Sequence, residues 1–303
     1  MASGSAAPAG GVRPHGHFGG VEWALTAMVA LIWGASFLFI KMGVESFGAG
    51  LVPAMRIGFG GLALVCVPAS HRPIDRRDWP AIVLLALIWM AVPFLLFSIA
   101  EETVPTAVTG MINGAVPLSV AATGALWHRK APSLRRTLGL LTGLAGVTSI
   151  TLSASHDGRG STDTVGILML VVGVVCYGVA ANVATPLQRR YGSLAVLLRI
   201  QLVAFVVSLP YGLWTARTAT FTWAGLGAMV FLGSLGTGLA YVAGTTLMGR
   251  TDATRGSIGV FLTPIVATLL GVTVRHEALP PGVLVGAVLI LAGAVLTSRP
   301  EPG

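Results

Sequence analysis

Apolar residues run along this chain in blocks of about twenty, separated by short polar connections. A helix needs about 20 apolar residues to cross the hydrocarbon core of a bilayer. The blocks predict ten such helices, over 22–43, 50–70, 79–100, 104–127, 136–154, 164–185, 193–214, 223–247, 253–273 and 281–298. Strict alternation of apolar and polar positions is absent, which argues against a membrane barrel. Prolines punctuate the connections: Pro73, Pro132, Pro186, Pro280 and Pro281. Thr103 is placed to cap a helix whose first turn holds Pro105, and Asp252 to cap the ninth helix.

Composition agrees. Of 303 residues, 54% are hydrophobic and 10% charged. A water-facing surface takes about a quarter charged residues, so lipid is the fitting solvent. The pI near 10.5 does not point to nucleic acid, because the basic residues sit in short loops rather than on one polar face. With the N-terminus inside, thirteen basic residues fall in cytoplasmic segments and four (Lys41, Arg159, Arg217, Arg275) in external ones. That bias places both termini in the cytoplasm. Residues 1–21, rich in Gly, Ala, Pro and His, are expected to stay disordered there, with a short tail at 299–303. Cys66 and Cys176 lie in apolar runs and are expected to be buried packing residues.

The chain also matches itself at a shift of about 145 residues. Trp33-Gly34 falls on Tyr177-Gly178, Arg56-Ile57 on Arg199-Ile200, Trp79 on Trp223 and Pro117 on Pro264. Gly139 falls on Gly286, and Ala145-Gly146 on Ala292-Gly293. Each half then holds five helices, over 22–155 and 164–298, and an odd number makes the second half enter the membrane from the opposite side. The expected fold is therefore an all-α membrane protein of ten transmembrane helices, arranged as two inverted five-helix repeats, an architecture of secondary transporters.

Three stretches carry a family resemblance: Leu31-Ile32-Trp33-Gly34-Ala35-Ser36-Phe37; Pro264-Ile265-Val266-Ala267-Thr268-Leu269-Leu270; and Glu277 followed by Gly286-Ala287-Val288-Leu289-Ile290-Leu291-Ala292-Gly293. In order and in duplicate, they resemble the EamA family of the drug/metabolite transporter superfamily. The resemblance implies ten helices in two inverted repeats, and export or exchange of small metabolites, often amino acids. The first half has Arg129-Lys130 where the second has Glu277. A cytoplasmic loop favours positive charge and an external one does not, so topology accounts for the difference.

Several residues are candidates for function. Pro117 and Pro264 each free the carbonyl four residues earlier, at Asn113 and Val260, and should kink their helices at mid-membrane. Trp33, Tyr177 and Tyr241, with Asn113 and Asn182, suggest an uncharged, mixed substrate pocket. Arg56 and Arg199 are costly inside spans. Arg56 is expected to pair with Glu101 or Glu102 outside, and Arg199 with Asp252 inside, as ion pairs that could break as the halves rock. Gly139/Gly143 and Gly282/Gly286 have GxxxG spacing, suited to close helix packing inside a monomer or to a homodimer.

No histidine lies in a span interior, neither lysine ends a phosphate loop, and no HExxH motif or carboxylate cluster offers a metal site. The expectation is therefore no enzyme, no cofactor, no metal and no nucleic-acid partner. The partners are the bilayer and a small-molecule substrate. A carrier of small metabolites such as amino acids is favoured. A carrier of hydrophobic drugs or toxic organic compounds, a membrane-embedded enzyme and a channel remain alternatives.

Overall fold

The computed structural model describes residues 19–127, 129, 132–156, 160–250 and 258–298. Among them there are helices and turns and no strand. In chain order they are α1 (Gly20–Phe47), α2 (Leu51–Val65), α3 (Trp79–Leu85), α4 (Val92–Ala100), α5 (Thr106–Asn113), α6 (Val116–Trp127) and α7 (Leu134–His156). Then come α8 (Gly160–Tyr191), α9 (Ser193–Thr215), α10 (Trp223–Val230), α11 (Ala240–Arg250), α12 (Ile258–Arg275) and α13 (Pro281–Ser298). Two wider turns of π-helix fuse neighbours into continuous rods: Ala86–Ala91 between α3 and α4, and Phe231–Leu239 between α10 and α11. At the offset that lays Trp79 on Trp223, the two π segments overlap, with 87–91 falling on 231–235.

Five stretches are long and apolar enough to cross a membrane: Gly20–Phe47, Arg76–Ala100, Thr164–Tyr191, Ser193–Thr215 and Trp223–Gly244. Leu51–Val65, Val260–Arg275 and Pro281–Thr297 are shorter apolar helices. Large apolar side chains such as Leu62, Leu126, Leu144, Val206 and Val288 face outward. Water would penalise that surface, and lipid does not.

Several boundaries depart from the sequence reading. Pro186 lies inside α8 rather than in a connection. The second block ends as a helix at Val65, and Pro68–His71 forms a 3₁₀ turn instead. Cys66 is exposed at that end, not buried, because the helix stops before it. Thr103 does not cap α5. The Glu277 carboxylate does, accepting from Thr106 N and Ala107 N, each at 2.8 Å. An anion there meets the unpaired amides and the positive end of the helix dipole. The proposed cap at Asp252, residues 1–18 and the tail at 299–303 lie outside the described residues, while Gly20 and Val21, expected in the N-terminal tail, already belong to α1.

The proline positions also diverge. Before Pro117 the helix breaks at Gly114-Ala115, between α5 and α6. Pro264 is carried inside a continuous α12. A Cβ at Gly114 would sit 2.8 Å from Pro264 Cγ, so the break brings the two proline helices together.

Packing between the halves follows an exchange pattern. α1 lies on α12, as α8 lies on α6. α2 lies on the Phe231–Leu239 turn, as α9 lies on the Ala86–Ala91 turn. α2 and α9 lie on each other, as do α7 and α13. Swapping the halves returns the same set. Two apolar cores result. One gathers Phe37, Met111, Ile150, Leu170 and Ile290. The other gathers Ile57, Met90, Phe94, Leu197 and Ala204. Tyr177 borders both.

Candidate substrate cavity

Between the two cores lies a cavity of about 250 Å³. α1 contributes Trp33, Ser36, Phe37 and Ile40, and α2 contributes Arg56. Trp89, Phe94 and Phe97 come from the α3–α4 rod, Asn113 and Val116 from either side of the break between α5 and α6. The second half supplies Tyr177 and Ala181, Tyr241, and Val260 and Thr263. Both residues whose carbonyls the prolines free, Asn113 and Val260, are on this wall.

The aromatic side chains hold one another. Trp33 meets Tyr241 edge-on at 5.6 Å between centroids, and Tyr241 meets Trp89 at 6.1 Å. Phe97 lies 5.8 Å from Tyr177 and 6.3 Å from Phe37. The edge-on contacts of Tyr241 with Trp33 and Trp89 fix ring orientation as well as burying area. The Trp33 indole Nε1 donates to the Gly236 carbonyl at 3.0 Å. Gly236 is in the π segment, where the wider turn redirects carbonyls away from the usual ladder.

Four of the five residues expected to bind substrate are brought together here: Trp33, Asn113, Tyr177 and Tyr241. Asn182 is not among them. Its amide nitrogen donates to Gly178 O (2.9 Å), Thr123 Oγ1 (3.0 Å) and Val120 O (3.2 Å), tying α8 to α6. Five residues rotate a helix by about 140° beyond a full turn, so Asn182 leaves the face of Tyr177. Ala181, four residues on, stays on that face and lines the cavity.

The expected outer ion pair is not formed. Arg56 Nε donates to Thr237 Oγ1 at 3.0 Å, and the guanidinium carbon stands 3.9 Å over the Phe94 ring. Thr237 Oγ1 in turn donates to Leu232 O at 3.2 Å, which fixes its lone pair toward Arg56. The Glu101 side chain is buried and neither carboxyl oxygen has a hydrogen-bond partner. Glu102 is exposed. Lys41 Nζ donates to the backbone carbonyls of Glu101 and Glu102, and Arg56 is held instead by Thr237 and the Phe94 ring. The pocket is therefore not uncharged: it holds a guanidinium. An ion pair between α1 and α12 does form, from Arg275 to Glu45 (Nη1–Oε2 3.2 Å).

Arg199, the repeat partner of Arg56, does not reach the cavity. It donates to the carbonyls of Ser70 and His71 in the 3₁₀ turn after α2. At the offset that lays Trp79 on Trp223, Thr237 falls on Pro93, which has no hydroxyl to receive Arg199. The pairing of Arg199 with Asp252 lies outside the described residues. Trp89, Phe94, Phe97 and Thr237 were missed by the sequence reading. Trp89, Phe94 and Phe97 sit in the apolar α3–α4 rod and Thr237 in the α10–α11 rod, and the π turn in each alters the 3.6-residue frame. Among the described residues no group of three or more His, Cys, Asp or Glu could hold a metal ion.

The sequence profile of the EamA-like transporter family matches residues 20–152 and, again, 164–299. Among curated proteins, the chain is 25% identical to a protein of Streptantibioticus cattleyicolor named a probable terminal-alkyne amino-acid exporter, covering 91% of this chain and 93% of that one. It is 23% identical to the uncharacterized transporter YvbV of Bacillus subtilis, over 90% of each chain. It is also 23% identical to the uncharacterized inner membrane transporter YedA of Escherichia coli, over 86% of this chain and 87% of that one. A solved crystal structure superposes with a TM-score of 0.61 at 22% identity, covering 91% of this chain and 95% of the other.

Proposed function

The chain belongs to the EamA-like transporter family, and on that premise we propose that it is a secondary transporter that exports small metabolites such as amino acids by alternating access. In this reading ten transmembrane helices form two inverted five-helix repeats, over 22–155 and 164–298, with both termini in the cytoplasm. A monomer suffices, because the cavity is complete within one chain.

One observation carries the reading: the cavity wall is drawn from both halves. Trp33, Arg56, Trp89 and Asn113 stand opposite Tyr177, Tyr241, Val260 and Thr263. A site on the seam between two exchangeable halves changes its access when one rocks against the other. The exchange pattern of contacts, α1 on α12 and α8 on α6, supports the pseudo-twofold relation. The relative named as an amino-acid exporter favours that substrate class. Fold alone does not set substrate, so the test is direct.

Purified protein in liposomes loaded with unlabelled amino acids should accelerate uptake of the labelled form by counterflow. Trp33→Ala and Tyr241→Ala should each reduce that flux at least tenfold at equal amounts of folded protein. Saturable binding without counterflow for any amino acid tried would count against transport. Flux of hydrophobic drugs in its place would shift the reading to the drug-efflux alternative.

A further inference from the structure

We propose that Arg56 is the anchor for a carboxylate on the transported solute, so that the cavity selects organic monocarboxylates with an apolar body. This rests on the cavity being the transport site and adds the substrate's charge and the group that reads it.

Arg56 is the charged residue among the described residues that line the cavity. A guanidinium keeps its proton in proteins, so the site carries a fixed positive charge. Among the described residues no carboxylate forms a hydrogen bond or ion pair with it, and the buried Glu101 carboxyl accepts from no donor. A cation without an ion-pair partner in a low-dielectric cavity is costly, and an arriving anion offsets that cost.

The protein engages only part of the group. Thr237 holds Nε and the Phe94 ring covers one face. No described residue takes a hydrogen bond from Nη1 or Nη2. The two Nη atoms form the edge that grips a carboxylate by two parallel hydrogen bonds, a geometry a lysine does not offer. The same cavity wall is largely aromatic, with Trp33, Phe97 and Tyr241 available to cover the rest of a small molecule. A zwitterionic amino acid fits, its ammonium meeting aromatic faces and Asn113. A hydrophobic cation does not, because it meets like charge.

The asymmetry of the repeat makes the same point. Arg199 gives its donors to two backbone carbonyls of the Pro68–His71 turn after α2. Arg56 could have been used structurally in the same way and is not.

The test pairs equilibrium binding with counterflow, using labelled 3-phenylpropanoate, phenylalanine and phenylalaninamide. Wild-type protein should bind the two carboxylates at least tenfold more tightly than the amide. Arg56→Gln should lose at least tenfold for the carboxylates and little for the amide. Arg56→Lys, keeping charge without the fork, and Thr237→Val, freeing Nε, should show smaller losses; they carry the test if Arg56→Gln does not fold. Unchanged carboxylate affinity in folded Arg56→Gln overturns the assignment, as does equal wild-type affinity for acid and amide or no saturable binding of either acid. Arg56-dependent binding without counterflow sinks the transport reading and leaves the anchor standing. Counterflow of carboxylates that ignores Arg56 does the reverse.

Discussion

A Cβ placed on Gly146 would sit 2.6 Å from the Gly286 carbonyl oxygen, and one on Gly286 would sit 2.6 Å from the Gly146 carbonyl oxygen. The relation recurs one step away: Gly139 and Gly293 each bring a Cβ position to the other's carbonyl oxygen, at 2.8 and 2.5 Å. In the internal repeat Gly139 is the counterpart of Gly286, and Gly146 of Gly293. The second contact is thus the first with the halves exchanged. The rising number on α7 meets the falling number on α13, so the helices run antiparallel. Their glycines pack inside one chain, which leaves no need for a homodimer to explain the GxxxG spacing.

Gly286→Leu is expected to prevent folding, since the blocking atoms are backbone and cannot turn aside. Overpacking a close-packed contact costs about 1–3 kcal/mol or more. Gly227→Ala is the control, because nothing lies within 4 Å of its Cβ position. Fluorescence-detected gel filtration of detergent extracts should give a monodisperse peak for the control and an aggregated or missing peak for Gly286→Leu. A normal peak for Gly286→Leu would mean the two helices are not this close.

The Glu277 carboxylate joins α5 to the loop after α12 through Thr106 N and Ala107 N. Removing a helix N-terminal cap costs about 0.5–2 kcal/mol. Glu277→Ala should lower the thermal midpoint measurably and leave ligand affinity unchanged, since Glu277 is not on the cavity wall. A variant that melts with wild type but loses flux would assign this glutamate to transport instead.

Much of this was legible in the sequence. Apolar block length fixed most helices, and the self-match paired Gly34 with Gly178 before their contacts were known. Gly34 lies against Val266 and Gly178 against Ser119, which are themselves equivalent when Pro117 is laid on Pro264. What escaped was azimuth. Depth in the membrane follows from position along a span, but which way a side chain points depends on helix rotation. Asn182 turns to Val120 and Thr123 on α6, and Arg56 to Thr237 and Phe94, partners that position along a span does not announce. The π turns at Ala86–Ala91 and Phe231–Leu239 add a rotation that no 3.6-residue pattern announces. That is why Trp89 and Thr237 went unnoticed.

Asn182 and Tyr241 offer a separation of roles. Asn182 holds three acceptors on α6 and α8 and is absent from the cavity wall. Asn182→Ala should destabilise by about 1–3 kcal/mol through the acceptors left without a donor, with substrate affinity preserved. Tyr241→Ala should weaken substrate binding, because the ring lines the cavity and braces Trp33 and Trp89. Melting curves and ligand titrations on both variants decide. If Asn182→Ala weakened binding more than Tyr241→Ala, the direction assigned to Asn182 would be wrong.

Arg199 completes the contrast with Arg56. It fastens the 3₁₀ turn at Pro68–His71 through the carbonyls of Ser70 and His71, and Ser70 Oγ in turn donates to Leu64 O and Val67 O, each at 2.7 Å. The turn therefore closes the end of α2 against α9. Arg199→Gln loses the charged donors and shortens the reach, leaving those carbonyls to water. Hydrogen bonds to charged groups contribute about 1.5–3 kcal/mol. Backbone amides of 66–71 should exchange with deuterium faster in the variant, while those of α7 and α13 should not change. Carboxylate affinity should stay within about twofold of wild type, since no part of Arg199 lines the cavity. Equal losses of affinity in Arg56→Gln and Arg199→Gln would show that the two arginines act alike, and the structural asymmetry between them would then have no functional counterpart.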